Sequence, residues 1–208
     1  MRILLAVFLC LFGHASAQLR AGDLIFQTSA SSQADTIIFG TGSLYSHMGM
    51  LLEQQDGSLG VIEAAGPVQI ISLPAWIARG DGQAYTVLRD PRLSPQDRAD
   101  LVEAAKAYLG APYDPFFQDG VDRIYCSELI GLAYAQGLQM PIGTRQIIAD
   151  LNVNHPAAQA LIRQRWQAYP GCQGLGFEAC RERILQSPIL TPASIADDQA
   201  LIEIISTF

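Results

Sequence analysis

The stretch "RIYCSELIGLAYAQG" (123–137) sets one cysteine directly before an apolar helical pattern. Cys126 has three readings: a buried small apolar residue, half of a disulfide, or a nucleophile. The third has a physical basis. At the first turn of a helix, unpaired amides and the macrodipole favour a thiolate over a thiol. The same amides can stabilise an oxyanion when that thiolate attacks a carbonyl. Such a cysteine needs an imidazole to manage its proton and a third polar group to orient the imidazole. Behind Cys126, the residues Ile130, Ala133 and Tyr134 form one apolar stripe, and Gly137 is expected to end the helix. Glu128 reads as an electrostatic cap on the helix N-terminus.

Two histidines follow residue 17. His155, in "NVNHPAAQ", precedes a proline at a helix start and reads as a capping or loop residue. His47 opens the apolar strand "HMGMLLE", where a lone histidine would ordinarily be held by a backbone hydrogen bond. Glu63 alters that reading. It lies in "LGVIEAAG", among apolar neighbours, where a carboxylate needs a donor or cation. The two strands form an expected hairpin, in which opposed residues have a constant number sum. His47 and Glu63 then share a face only if that sum is even. A three-residue turn over 55–57 with left-handed Gly57 meets this condition, and a two-residue Asp-Gly turn does not. Parity leaves both open.

The elements needed to position these residues divide the chain. Its first half reads as strands: 23–26, 47–53, 59–65, 68–73 and 84–90, with a helix over "QADTIIFGTG" and a short helical piece at "PAWIARG". The second half reads as helices: "SPQDRADLVEAAKAYLG" with Ser94 as its cap, the Cys126 helix, "TRQIIADL", "HPAAQALIRQRWQAY" and "GFEACRERILQ". A closing strand, "QALIEIISTF", follows. Strands first and helices later indicate an α+β domain, an antiparallel sheet with helices packed on it.

The first 17 residues have an arginine, an apolar run over 3–12 and then Ala15-Ser16-Ala17, the three parts of a secretory signal peptide. Cleavage after Ala17 would leave residues 18–208 as one domain, exported and most readily periplasmic, with no integral membrane anchor. Cys126, Cys172 and Cys180 would remain. Cys172 and Cys180 are close partners for a disulfide in an oxidising compartment, which leaves Cys126 as the odd thiol. With 13 Lys and Arg against 20 Asp and Glu, the formal charge of −7 argues against nucleic acid as a partner. No convincing zinc spacing and no cofactor motif is present.

"AGDLIF", "YSHMGM", "VIEA", "YLGAPYD" and "YCSELI" occur in the order found in the YiiX/YaeF-type permuted papain-like amidases, within the NlpC superfamily of cysteine hydrolases. The chain resembles that family over residues 21–137, with an echo in "LTPASIADD". The resemblance implies a circularly permuted papain-like fold, an antiparallel sheet or open barrel packed against helices. It also implies Cys126 as nucleophile, His47 as base and Glu63 as the group that orients His47. Tyr125 becomes a candidate for the oxyanion site or cleft. Tyr113 and Asp114 become either a substrate-cleft wall or a structural loop. The implied activity is hydrolysis of an amide or related acyl bond in a small-molecule, peptide or lipid amide, such as a peptidoglycan peptide. A lipid acyltransferase using the same site, a non-catalytic binding protein on the same fold and a redox role for Cys126 are the rivals. Residues 138–186 lie beyond the matched pattern and are expected to form a lid or cleft wall.

Overall fold

The computed structural model describes residues 18–208 other than 121; the expected leader, 1–17, lies outside the described residues. Among the described residues, eight strands and seven α-helices follow one another: β1 (Leu24–Gln27), α1 (Ala34–Thr41), β2 (His47–Glu53), β3 (Leu59–Ala64), β4 (Val68–Ser72), α2 (Leu73–Ala78), β5 (Thr86–Arg89), α3 (Pro95–Lys106), α4 (Cys126–Leu138), β6 (Gln146–Ile147), α5 (Pro156–Arg165), α6 (Phe177–Leu185), β7 (Pro188–Ile189), α7 (Pro192–Ala196) and β8 (Ile202–Ser206). Six strands form one antiparallel sheet in the order β4-β3-β2-β1-β5-β8, and β6 pairs with β7 apart from it.

Both faces of the sheet are covered, which explains why β2 reads as a nearly unbroken apolar run. On one face Phe26, Met48, Met50 and Ile62 pack with Leu101 and Ala105 of α3 and with Leu129, Ile130 and Ala133 of α4. On the other, Ile25, Leu51, Val61 and Val87 pack with Trp76 of α2. Ser94 caps α3 through a reciprocal capping box with Asp97, as the Ser-Pro start predicts.

Two expectations are corrected. "TRQIIADL" is no helix: Gln146–Ile147 pairs with Pro188–Ile189 and a 3-10 turn follows. The run is too short for a stable isolated helix, so the strand partner, distant in sequence, decides its form. Gly137 does not end α4, which runs on to Leu138 with Gln139 in the left-handed region. A Cβ on Gly137 would sit 2.9 Å from the carbonyl oxygen of Asp100, so this glycine lets α4 approach α3 closely.

Candidate active site

His47 is the first residue of β2 and Glu63 the fifth of β3. The pairing Met50↔Ile62, Leu51↔Val61 and Glu53↔Leu59 carries the even sum that puts them on one face. The bond from Gln54 N–H to Ser58 O closes a three-residue turn over 55–57, with Gly57 at φ 79°. In that register Glu63 lies diagonally from His47, with Gly49 between. A Cβ on Gly49 would come within 2.5 Å of Val61 Cγ1 and 3.5 Å of Glu63 Cβ, so the bare backbone there leaves the two side chains room to meet. His47 Nε2 and Glu63 Oε2 are 2.7 Å apart. The Trp76 ring stacks beside His47, its centroid 6.0 Å away.

Glu63 is wholly buried and has two further partners. Gln69 Nε2, directly across in β4, donates to Oε1 at 3.0 Å, and Arg79 Nη2 donates to the same oxygen at 2.5 Å. Burial pushes this carboxyl up, but the bonds and charges of His47 and Arg79 outweigh it and hold the carboxyl below its ordinary range. Neither Gln69 nor Arg79 is apparent from local pattern. One signal existed: between Arg20 and Arg89 the chain contains a single Lys or Arg, and it is Arg79.

Cys126 opens α4, is 3% exposed, and is the free cysteine among the described residues. Burial acts to lower the His47 pKa. Hydrogen bonding and charge from Cys126 and Glu63 outweigh that effect and raise it to about 9. With Nε2 turned to Glu63, Nδ1 is the ring nitrogen left for the sulfur. A proton on His47 is thus shared between a carboxylate and the cysteine at a helix N-terminus, where the Cys126 amide has no intrahelical acceptor.

The remaining residues sort by their contacts. The Tyr125 hydroxyl accepts from Leu190 N–H at 3.2 Å, and its ring meets Phe117 edge-on; it is a buried wall beside Cys126. Tyr113 OH accepts from Gln33 Nε2 at 2.7 Å, and burial together with the nearby Cys126 pushes its phenol up. Asp114 accepts from the amides of Phe116 and Gln118 at 2.9 and 2.6 Å and so shapes the loop before α4. Glu128, pushed up to about 7 by burial, accepts from Gly120 N–H at 2.8 Å and Tyr125 N–H at 3.3 Å, tying that loop to the helix start. His155 caps α5, accepting from Ala157 N–H at 3.3 Å, and stacks on Phe39 outside the site. Cys172 and Cys180 are joined in a disulfide.

Two clefts border the pair. His47, Arg79 and Tyr113 line one with Gln27, Ser46 and Gln33. Cys126 and Tyr125 line an apolar one whose far wall is built from α5, α6 and the segment between α4 and α5. The bordering wall joins Arg165 of α5 to Gln33 Oε1 at 3.1 Å, and Gln33 in turn to Tyr113.

The chain as a whole has relatives. The Escherichia coli K12 "uncharacterized protein YiiX" is 39% identical over 150 residues, 72% of this chain and 74% of that protein. A crystal structure described as metalloprotein YiiX from Escherichia coli O157:H7 superposes with a TM-score of 0.80 at 33% identity, covering 91% of this chain and 98% of the other. The family described as permuted papain-like amidase enzyme, YaeF/YiiX, C92 family, matches residues 18–205. The antiparallel sheet with its histidine strand ahead of its cysteine helix is therefore a permuted papain-like fold, and the chain belongs to the YaeF/YiiX family of permuted papain-like amidases.

Proposed function

We propose that the protein is an exported cysteine hydrolase that cleaves an amide or related acyl bond through Cys126, His47 and Glu63. The observation that carries this reading is the buried His47–Glu63 contact of 2.7 Å, set beside the free cysteine that opens α4. The Cys126 thiolate attacks the substrate carbonyl, and the oxyanion so formed accepts from the Cys126 amide. The His47 imidazolium gives its proton to the departing nitrogen, the carbon–nitrogen bond breaks, and a thioester remains. Neutral His47 then takes a proton from water as it attacks the thioester. The acid leaves, and the proton on His47 restores the starting ion pair. Glu63, held by Gln69 and Arg79, keeps the imidazole in position and stabilises its charge.

The leaving group faces the cleft beside His47. The disulfide suits an oxidising compartment, and among the described residues no helix is long and apolar enough to cross a membrane. The O157:H7 relative is described as a metalloprotein. Among the described residues no His, Cys, Asp and Glu side chains stand as a cation's ligands would; where His47, Glu63 and Cys126 meet, Glu63 is taken up by His47, Gln69 and Arg79, so this donor set does not fit a metal.

Acid-quenched mass spectrometry during turnover of an acyl amide tests the reading. An acyl adduct on Cys126 is expected, absent in Cys126→Ala, with turnover falling about 10²–10⁴-fold in His47→Ala. Undiminished turnover in Cys126→Ala would refute it.

A further inference from the structure

The cleft beside His47 has a charge pattern opposite to that of the chain. The chain carries 20 Asp and Glu against 13 Lys and Arg. Among the described residues that line this cleft there is no Asp or Glu, and the two that hold charge, His47 and Arg79, are both cationic. Glu63, their common partner, is wholly buried and is not part of the lining.

Arg79 spends little of its bonding capacity on Glu63. A guanidinium has five N–H donors in a planar fork. One of them reaches Glu63 Oε1, at 2.5 Å; the other four have no partner among the described residues, and the side chain is 43% exposed. Three serines of the same lining add a donor. Ser29 Oγ bonds Ser31 Oγ at 2.9 Å and Ser46 Oγ at 3.2 Å. Those two links use two of the three hydroxyl protons and leave one to give to a ligand. Gln27, opposite His47 in the β1–β2 pairing, is 1% exposed, yet its Oε1 has no partner. A buried acceptor left unpaired is costly, and a leaving amine brings the N–H that it lacks. A neutral leaving group would ask nothing of the Arg79 fork that water does not offer. An anion accepts from it through charge-assisted bonds, about twice as strong as neutral ones. A second cation would be repelled by both His47 and Arg79.

We propose that the cleft beside His47 receives a leaving group that carries an anion a few bonds from the scissile nitrogen, a carboxylate, sulfonate or phosphate, and that Arg79 reads it. The substrate class is then an acylated anionic amine. This rests on the hydrolase reading above and names the leaving-group side of that same site. Glu63 sets the spacing: one oxygen holds His47 at 2.7 Å and the other holds Arg79, so imidazole and guanidinium stand one carboxylate apart. The reaction is that already written. The carbon–nitrogen bond breaks, the His47 proton goes to the nitrogen, and the amine departs with its anionic group.

Two measurements separate the proposal from the reading it rests on. The first is kcat/KM by amine release for matched pairs with one acyl group: hexanoyl-glycine against hexanoyl-glycinamide, and hexanoyl-taurine and N-hexanoyl-phosphoethanolamine against hexanoyl-ethanolamine. At least one anionic member is expected to exceed its neutral partner by about 10–100-fold, the ratio that follows from hydrogen bonding to a charged group. The pair with the largest ratio identifies the anion. In Arg79→Gln the ratio falls to about 1, and Arg79→Lys, which keeps the charge, recovers part of it. If Arg79 only positioned Glu63, both members would slow equally and the ratio would stand. That outcome, or a ratio of about 1 in the unaltered protein, where no variant has to fold, overturns the anion site and leaves the hydrolase intact. The second is calorimetric binding of the same pairs to Cys126→Ala. Preference for the anionic member, lost on adding Arg79→Gln, supports the anion site even if no substrate is turned over, in which case the hydrolase reading alone fails. Without selective turnover, equal binding of both members or binding of neither overturns the anion site.

Discussion

A proton on His47 faces two groups that both favour it, the Glu63 carboxylate and the Cys126 sulfur, and this holds it up to about pH 9. Because that pKa is raised above the ordinary 6.5, the stability it contributes is fully present below about pH 6.5 and is lost as pH rises through about 9. Glu63 has the opposite sign. Its depressed carboxyl stabilises the fold above the ordinary carboxylate range, and that contribution is lost as pH falls through its folded value. Glu63→Gln keeps the shape and removes the charge. It is expected to lower kcat by about 10²–10⁴-fold and to move the alkaline limit of the pH–rate profile down from about 9 toward the ordinary histidine value. A profile with an unchanged alkaline limit would show that Glu63 does not hold the His47 proton. The residues themselves were legible: a cysteine before a helix, a histidine at a strand start and an acid among apolar neighbours each break their local pattern. Arg79 was not, because its link to Glu63 passes through a turn of α2 that only the folded chain brings back to β3.

At the scale of elements, the site depends on the β2–β3 hairpin and the start of α4. The sequence constrains the hairpin to two turns, and the positive φ of Gly57 together with the Gln54–Ser58 bond selects the one that aligns His47 with Glu63. Gly49 is the element's tight point. Gly49→Ala would push a methyl against Val61 and the carbonyl of Ile62, both closer than 3 Å. It is expected to destabilise the protein by about 1–3 kcal/mol and to part His47 from Glu63. Thermal melting with kcat on the same variant checks this; a wild-type melting temperature and rate would mean the strands yield without consequence. Patterns that depend on a single neighbour were readable, as with Ser94 capping α3. Gly137 and "TRQIIADL" were not: the first is small for the sake of α3, and the second takes its form from β7.

Over the whole molecule, the sheet and α4 bring the three site residues together, while the segment from α4 to α6 supplies the wall that shapes what reaches Cys126. That wall has its own small core, in which the Cys172–Cys180 disulfide packs with Tyr169 and Ile184, and both of the latter also line the apolar cleft. The cysteine pair was legible from spacing and compartment. The cavity was not, because its lining comes from α1, the loop before α4, α5 and α6, whose half-buried apolar residues look like ordinary helix faces until they are assembled. The most direct test of the central claim is the rate of Cys126 alkylation by iodoacetamide at pH 6–7, in the oxidised protein and in His47→Ala. Single-site alkylation that drops about tenfold or more in the variant is expected. Slow alkylation that is the same in both proteins would contradict the claim, and Cys126 would then be a buried packing residue.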